Sequence, residues 1–205
     1  NDNYFFADPA LAYEFKQDGD YYLEVRDVRY QGNAFWQYCV EVNDRPLPAT
    51  TVPCVVAAGK KVIVQPVGLN VPAGLTAQLD VPKDLGPGLQ MVTPRVGKET
   101  LPPVPVVVAD VPVTVESNRP HGTPQEAADV SLPTVVAGRI AAANEADCYA
   151  FAAKKDEIFT FEIVARRMQS SLDSVLSIYD ETGKRLAESD DQTIYRLASS
   201  DSNVE

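Results

Sequence analysis

The chain has one histidine, one tryptophan, two methionines and three cysteines in 205 residues, and each scarcity narrows what it can do. The lone His121 rules out any site built on paired imidazoles. It falls in the Pro/Gly-rich run Ser117-Asn-Arg-Pro-His-Gly-Thr-Pro, where solvent exposure is expected rather than catalysis. Cys39, Cys54 and Cys148 have the spacing of neither a zinc site nor a redox pair, and their odd number excludes a fully paired disulfide framework within one chain. Three unpaired structural thiols are therefore expected, with a Cys39–Cys54 bridge as the lesser alternative. Positive charge is also in short supply: 18 Lys and Arg face 29 Asp and Glu, a net charge of −11. Nucleic acid and anionic membrane surfaces would be repelled by that surplus. No apolar run is long enough to span a bilayer, so membrane insertion is not expected. Asn1-Asp-Asn-Tyr has neither the basic start nor the apolar stretch of a signal peptide.

Turn formers, by contrast, are plentiful. Sixteen prolines and eleven glycines separate short apolar runs, the pattern of an all-β chain. Tyr21 to Val28 alternates, with Tyr21, Leu23 and Val25 on one face and Tyr22, Glu24 and Arg26 on the other. Trp36, Tyr38, Val40 and Val42 alternate in the same way with Phe35, Gln37, Cys39 and Glu41. Two half-buried antiparallel strands are expected there, joined by a short loop and following a turn at Gln17-Asp-Gly-Asp. Residues 44–116 carry runs at Thr51-Val, Val55-Val, Lys61-Val-Ile-Val, Leu75 to Val81, Leu89-Gln-Met-Val and Val106-Val-Val-Ala. Their number and spacing fit a small immunoglobulin-like sandwich, with prolines keeping the strands short or at edges. From 117 onward the chain reads as a polar lead-in with one helical turn near Pro124. Strands follow around Tyr149–Phe151, Phe159–Ile163 and Ser171–Tyr179, then a hairpin turn at Asp180-Glu-Thr-Gly-Lys with glycine in the left-handed position, and a last strand from Leu186 into the acidic loop Ser189-Asp-Asp.

The two ends share a faint repeat: Ser189-Asp-Asp resembles Asn1-Asp-Asn, and Asp201-Ser-Asn-Val-Glu resembles Asp8-Pro-Ala-Leu-Ala. Residues 17–43 would then continue what the C-terminal stretch begins.

A family resemblance rests on these residues. Gly138-Arg-Ile, Ala146-Asp-Cys-Tyr-Ala-Phe, Ala153-Lys-Lys-Asp, Phe161-Glu-Ile-Val-Ala-Arg-Arg, Ser171-Leu-Asp-Ser-Val-Leu, Asp180-Glu-Thr-Gly-Lys and Ser189-Asp-Asp together resemble the first part of a bacterial pre-peptidase C-terminal (PPC) domain. Asp18-Gly-Asp-Tyr-Tyr-Leu-Glu-Val-Arg-Asp with Tyr38-Cys-Val-Glu-Val resembles its last part. Ala58-Gly-Lys-Lys-Val and Val67-Gly-Leu-Asn-Val-Pro resemble the Ig-like TIG/IPT-type units of large exported bacterial proteins. The resemblance implies three units: a C-terminal half of a PPC-like sandwich at 1–43, an Ig-like sandwich at 44–116, and an N-terminal half of a PPC-like sandwich at 117–205. It implies an extracellular, cell-surface or periplasmic location and a non-catalytic structural or adhesive role. The alternative is a carbohydrate- or protein-binding accessory module attached to an enzyme. Half-sandwiches leave apolar faces and ladder edges open, and three resolutions follow: the chain is a piece of a longer repeat protein, residues 1–43 fold back onto residues 117–205 as a permuted domain, or neighbouring copies complete each other head to tail. The expected partners are accordingly neighbouring copies or domains of the same protein.

Some members of the PPC family bind calcium, which makes calcium the candidate cofactor, against the plain reading that turn aspartates cap backbone groups and face water. Calcium takes several oxygen ligands, and the candidates are Asp190, Asp191, Asp147, Asp173 and Asp201, with Asp2 and Asp8 as repeat counterparts. Adjacent carboxylates at 190–191 repel, and a cation relieves that. Most other acidic groups are expected simply to face water. For a sugar or protein ligand the surface candidates are Tyr22 and Phe35, because alternation places Tyr21 and Trp36 toward a core. No nucleophile-elbow motif accompanies His121, and Gly97-Lys-Glu-Thr lacks the spacing of a phosphate loop, so no catalytic residue is assigned.

Overall fold

The computed structural model of the chain describes residues 8–117 and 119–190, with the backbone alone of three short strands at 192–194, 197–199 and 203–204. The fold is all-β. Among the described residues the only helical pieces are short 3-10 turns such as Pro124–Glu126 and Arg166–Met168, and no helix is long and apolar enough to cross a membrane.

The core lies between residues 47 and 109, where eight strands form two sheets. These are β1 (Leu47–Val52), β2 (Val55–Ala57), β3 (Lys61–Leu69), β4 (Ala77–Asp80), β5 (Gly88–Val92), β6 (Pro94–Val96), β7 (Glu99–Thr100) and β8 (Val104–Ala109). One sheet has the order β1-β3-β4-β6-β7, all antiparallel; the other has the order β2-β8-β5, with β2 and β8 parallel. Period-2 alternation does the sorting. Val64 on β3, Ala77 and Leu79 on β4, Val92 on β5, and Val104, Val106 and Val108 on β8 point inward and join Val56 and Val81 in one buried cluster. Their neighbours Ile63, Gln65 and Met91 face out. Each fully buried aliphatic side chain contributes about 1.5–3 kcal/mol relative to exposure, so this cluster is the main stabilising element.

Prolines sit inside these strands as well as at their ends, at Pro48, Pro66, Pro94 and Pro105. Pro105 lies on β8, the middle strand of its sheet, and is tolerated because β2 is short. The β2 ladder starts with Val107 N–H donating to the Cys54 carbonyl, so Pro105, two residues upstream, lies beyond the end of that ladder and its missing N–H breaks no bond to β2. Where β1 bulges between Pro48 and Thr50, β3 presses close: a Cβ on Gly68 would lie 2.3 Å from the Leu47 carbonyl oxygen and 2.7 Å from the Ala49 nitrogen. Only glycine fits there.

Beyond β8 the strands pair in twos. β9 (Val113–Val115) runs parallel to β11 (Val135–Ala137), and β10 (Ala128–Asp129) runs parallel to β12 (Tyr149–Ala150). β13 (Phe161–Glu162) pairs with β18 (Asn203–Val204), and β16 (Gln192–Ile194) with β17 (Leu197–Ser199). β14 (Leu176–Tyr179) and β15 (Arg185–Ser189) form the expected hairpin, with Gly183 at φ +81°. Its turn is held by one carboxylate oxygen: Asp180 Oδ1 accepts from Thr182 N–H at 2.9 Å, the Thr182 hydroxyl at 2.6 Å and Lys184 N–H at 3.0 Å. Phe151, Phe159 and Phe161 pack together, with ring centroids 5.2–6.5 Å apart. The helical turn expected near Pro124 is present.

The N-terminal expectation needs correction. Residues 9–46 contain no strand, and the hairpin expected from Tyr21 to Val42 is absent. Its backbone bonds are local turns, such as Tyr30 N–H to Asp27 O and Trp36 N–H to Asn33 O. Alternation gives a strand one apolar face, but a lone hairpin is marginal in water without a sheet or helix to cover that face. Nothing in the described chain covers it. Gln17-Asp-Gly-Asp is accordingly a pair of bends rather than a hairpin turn.

Candidate functional site

The most concentrated chemistry lies where the chain leaves the sandwich. The β9–β11 pair ends with Glu116 N–H donating to the Ala137 carbonyl at 2.9 Å, which fixes Glu116 at the strand exit. Its carboxylate accepts from Arg139 N–H at 2.6 Å. Five residues on, the His121 carbonyl accepts from Cys148 N–H at 2.7 Å, and the Cys148 carbonyl accepts from Ala128 N–H at 2.9 Å. These bonds stitch the His121 loop to the start of β12, so Asp147 and Tyr149 flank the imidazole. His121 is only 6% exposed, which overturns the expectation of a solvated histidine. The neighbouring loop residues Arg119, Pro120, Gly122 and Thr123 are exposed, and the imidazole alone turns inward, against Asp147 and Tyr149 at the start of β12.

Within this cluster one ligand atom each from Glu116, His121 and Asp147 lies within 4.8 Å of the others. His121 Nδ1 is 2.8 Å from the Arg119 carbonyl oxygen. A carbonyl can only accept, so Nδ1 carries a proton and donates. The other nitrogen, Nε2, faces Asp147 Oδ1 and the Tyr149 hydroxyl, each at 3.4 Å. The surroundings are electronegative. Burial raises the Asp147 carboxyl above its usual range; the nearby Glu116 and Glu145 charges add to this, and His121 opposes it. Burial, helped by Asp147 and Glu116, pushes the Tyr149 hydroxyl up to about 12, so it stays protonated and able to donate. Cys148 is also raised, by burial and then by Asp147, which leaves it a thiol of low reactivity. A shallow cleft of about 300 Å³ opens beside the His121 ring, with Ser117, Arg119, Glu126 and Asp129 on its walls.

The residues expected from sequence distribute differently. Asp147 is half-buried and belongs to this cluster. Asp173 and Asp190 are exposed and join no three-ligand group among the described residues. Asp191, Asp201 and Asp2 lie outside the described residues, and Asp8 is exposed. Tyr22 and Phe35 are on the surface, 97% and 89% exposed, but Tyr21 and Trp36 are not core residues: they are 53% and 52% exposed. Tyr21 instead packs on Phe15, which meets Tyr13 edge-on, in a small aromatic stack. The cysteines are free; Cys39 is exposed and Cys54 and Cys148 are half-buried, so no Cys39–Cys54 bridge forms. Sequence reasoning did not reach Glu116 or the part His121 plays. The only signal was a glutamate five residues before the sole histidine at a strand exit, which matches no spacing rule.

No protein-family profile, curated protein or solved structure matches the chain.

Proposed function

We propose that the chain is a non-catalytic structural or adhesive module of an exported bacterial surface or extracellular protein, and that residues 8–43 associate with a neighbouring copy or unit of the same protein. One observation carries this reading: Leu23, Val25, Trp36, Tyr38, Val40 and Val42 alternate as in a strand, yet all are at least 49% exposed, directly before a sandwich that already has a closed core. An extended segment with one apolar face and unpaired backbone groups is suited to adding a strand to another sheet edge. The two-stranded pieces beyond β8 offer such edges. The test is sedimentation of the whole chain across concentration. Association that is lost in a Leu23→Lys, Val40→Lys double variant with unchanged melting supports the reading. A chain that stays monomeric at every concentration, or one whose association ignores that variant, refutes it.

The exposure of Tyr22 and Phe35 favours a second reading, a carbohydrate-binding accessory module, since exposed aromatic faces stack on sugar rings. Retardation on polysaccharide gels that disappears in Tyr22→Ala and Phe35→Ala would select this over self-association.

A further inference from the structure

We propose that Glu116, His121 and Asp147 bind one divalent transition cation of the zinc class, which clamps the exit strand β9 to the start of β12. Because Nδ1 must donate to the Arg119 carbonyl, the neutral imidazole presents the Nε2 lone pair to Asp147 Oδ1, 3.4 Å away. Two lone pairs do not face each other in a site this buried unless something positive lies between or beside them. Tyr149 can donate to Nε2, but 3.4 Å is long for that bond, and the donation leaves the Asp147 oxygen uncompensated. The candidates are a proton, giving an imidazolium, or a metal ion.

The geometry favours the metal. Nitrogen and oxygen ligands bound to zinc at about 2.0–2.2 Å stand roughly 3.4 Å apart in a tetrahedron. That is the observed Nε2–Oδ1 separation. Glu116, the third ligand, is half-buried and reaches the same centre by a small side-chain rotation, since every ligand atom is already within 4.8 Å of the others. The Nδ1 bond to a backbone carbonyl is the outer-shell contact that orients a metal-binding histidine and fixes its tautomer. One imidazole with two carboxylates suits a borderline ion better than calcium, which takes six to eight oxygens. The three ligands come from the strand exit, the following loop and the approach to β12, so the ion would hold the segment after the sandwich in one arrangement.

His121 is the only histidine in the chain, which makes the test direct. The full chain, ¹⁵N-labelled and stripped with chelator, is titrated with Zn²⁺ alone while the long-range ¹H–¹⁵N spectrum of the imidazole is followed. One equivalent should shift the Nε2 resonance, leave Nδ1 protonated and raise the Tm. Asp147→Asn should weaken Zn²⁺ binding at least about tenfold. Glu116→Gln, on a different element, should do the same and covers the case where Asp147→Asn fails to fold. A spectrum already showing imidazolium and unmoved by Zn²⁺ would overturn the proposal: a proton fills the gap. So would Zn²⁺ binding that survives both variants, or calcium stabilising the chain while Nε2 stays in place.

Discussion

Residues 21–42 and residues 61–108 are written in the same code and end in different states. Both alternate apolar and polar side chains with period two and both carry β-branched residues, while of the two only residues 21–42 carry aromatics. On β3, β4 and β8 the apolar members are buried to a few per cent or less, as with Val64, Leu79 and Val106. In the N-terminal segment the equivalent members, Leu23 and Val40, remain half-exposed or more. The difference is supply. The sandwich brings its own second sheet, so every inward face meets another, while the N-terminal segment meets no sheet among the described residues. Alternation encodes the capacity to be a strand; only a partner edge turns it into one.

The sharpest way to press this contrast is to truncate one residue from each region. Leu79→Ala, in the fully buried position, should cost about 2–5 kcal/mol of unfolding free energy, since the cavity cannot collapse between two packed sheets. Trp36→Ala, the larger truncation on paper, should change monomer stability by about 0.5 kcal/mol or less, because no core is breached. Both are read from denaturant melts at low concentration. Comparable losses at the two positions would erase the distinction between the regions. Gly68→Ala should follow in size, about 1–3 kcal/mol, as β1 is pushed away from β3 at the bulge; a neutral result would mean that the close approach at Leu47 and Ala49 relaxes freely.

The smallest effect is expected in the β14–β15 turn. The Thr182 hydroxyl first, then Lys184 N–H, holds the Asp180 carboxyl below its usual range. An acid whose folded pKa is depressed stabilises the fold above its unfolded value, near 3.9, and that contribution disappears as the pH falls through the folded value. The Tm of Asp180→Ala should therefore lie slightly below that of the parent chain at pH 7 and converge with it toward pH 2. A gap that persists unchanged to pH 2 would show that the carboxylate charge is not what holds the turn.

How far the sequence foretold this follows the same contrast. The runs at Val55-Val, Lys61-Val-Ile-Val, Leu89-Gln-Met-Val and Val106-Val-Val-Ala became β2, β3, β5 and β8, because period and turn residues are local signals and the partner lay within the chain. The Asp180–Lys184 hairpin was legible for the same reason: one aspartate and one glycine specify it. The strands at Tyr21 and Trp36 were misread because alternation alone was read as a strand, and no edge among the described residues pairs with them. The histidine site was missed because its three members come from two separate strand pairs, and nothing in a spacing of five and then twenty-six residues says that β9–β11 and β10–β12 bring them together. Proline was read as keeping strands short or at edges, and Pro105 adds a further case: it lies on a middle strand whose neighbour is too short to reach it.

The central claim is that residues 21–42 acquire a partner from outside their own fold. Amide hydrogen exchange over a range of protein concentrations, read segment by segment by mass spectrometry, tests it most directly. The account predicts fast exchange across 21–42 in dilute solution, slow exchange across β3, β4 and β8 throughout, and protection spreading into 21–42 as the chain associates. Association that leaves 21–42 unprotected, or strong protection of that segment in the dilute monomer, would contradict it.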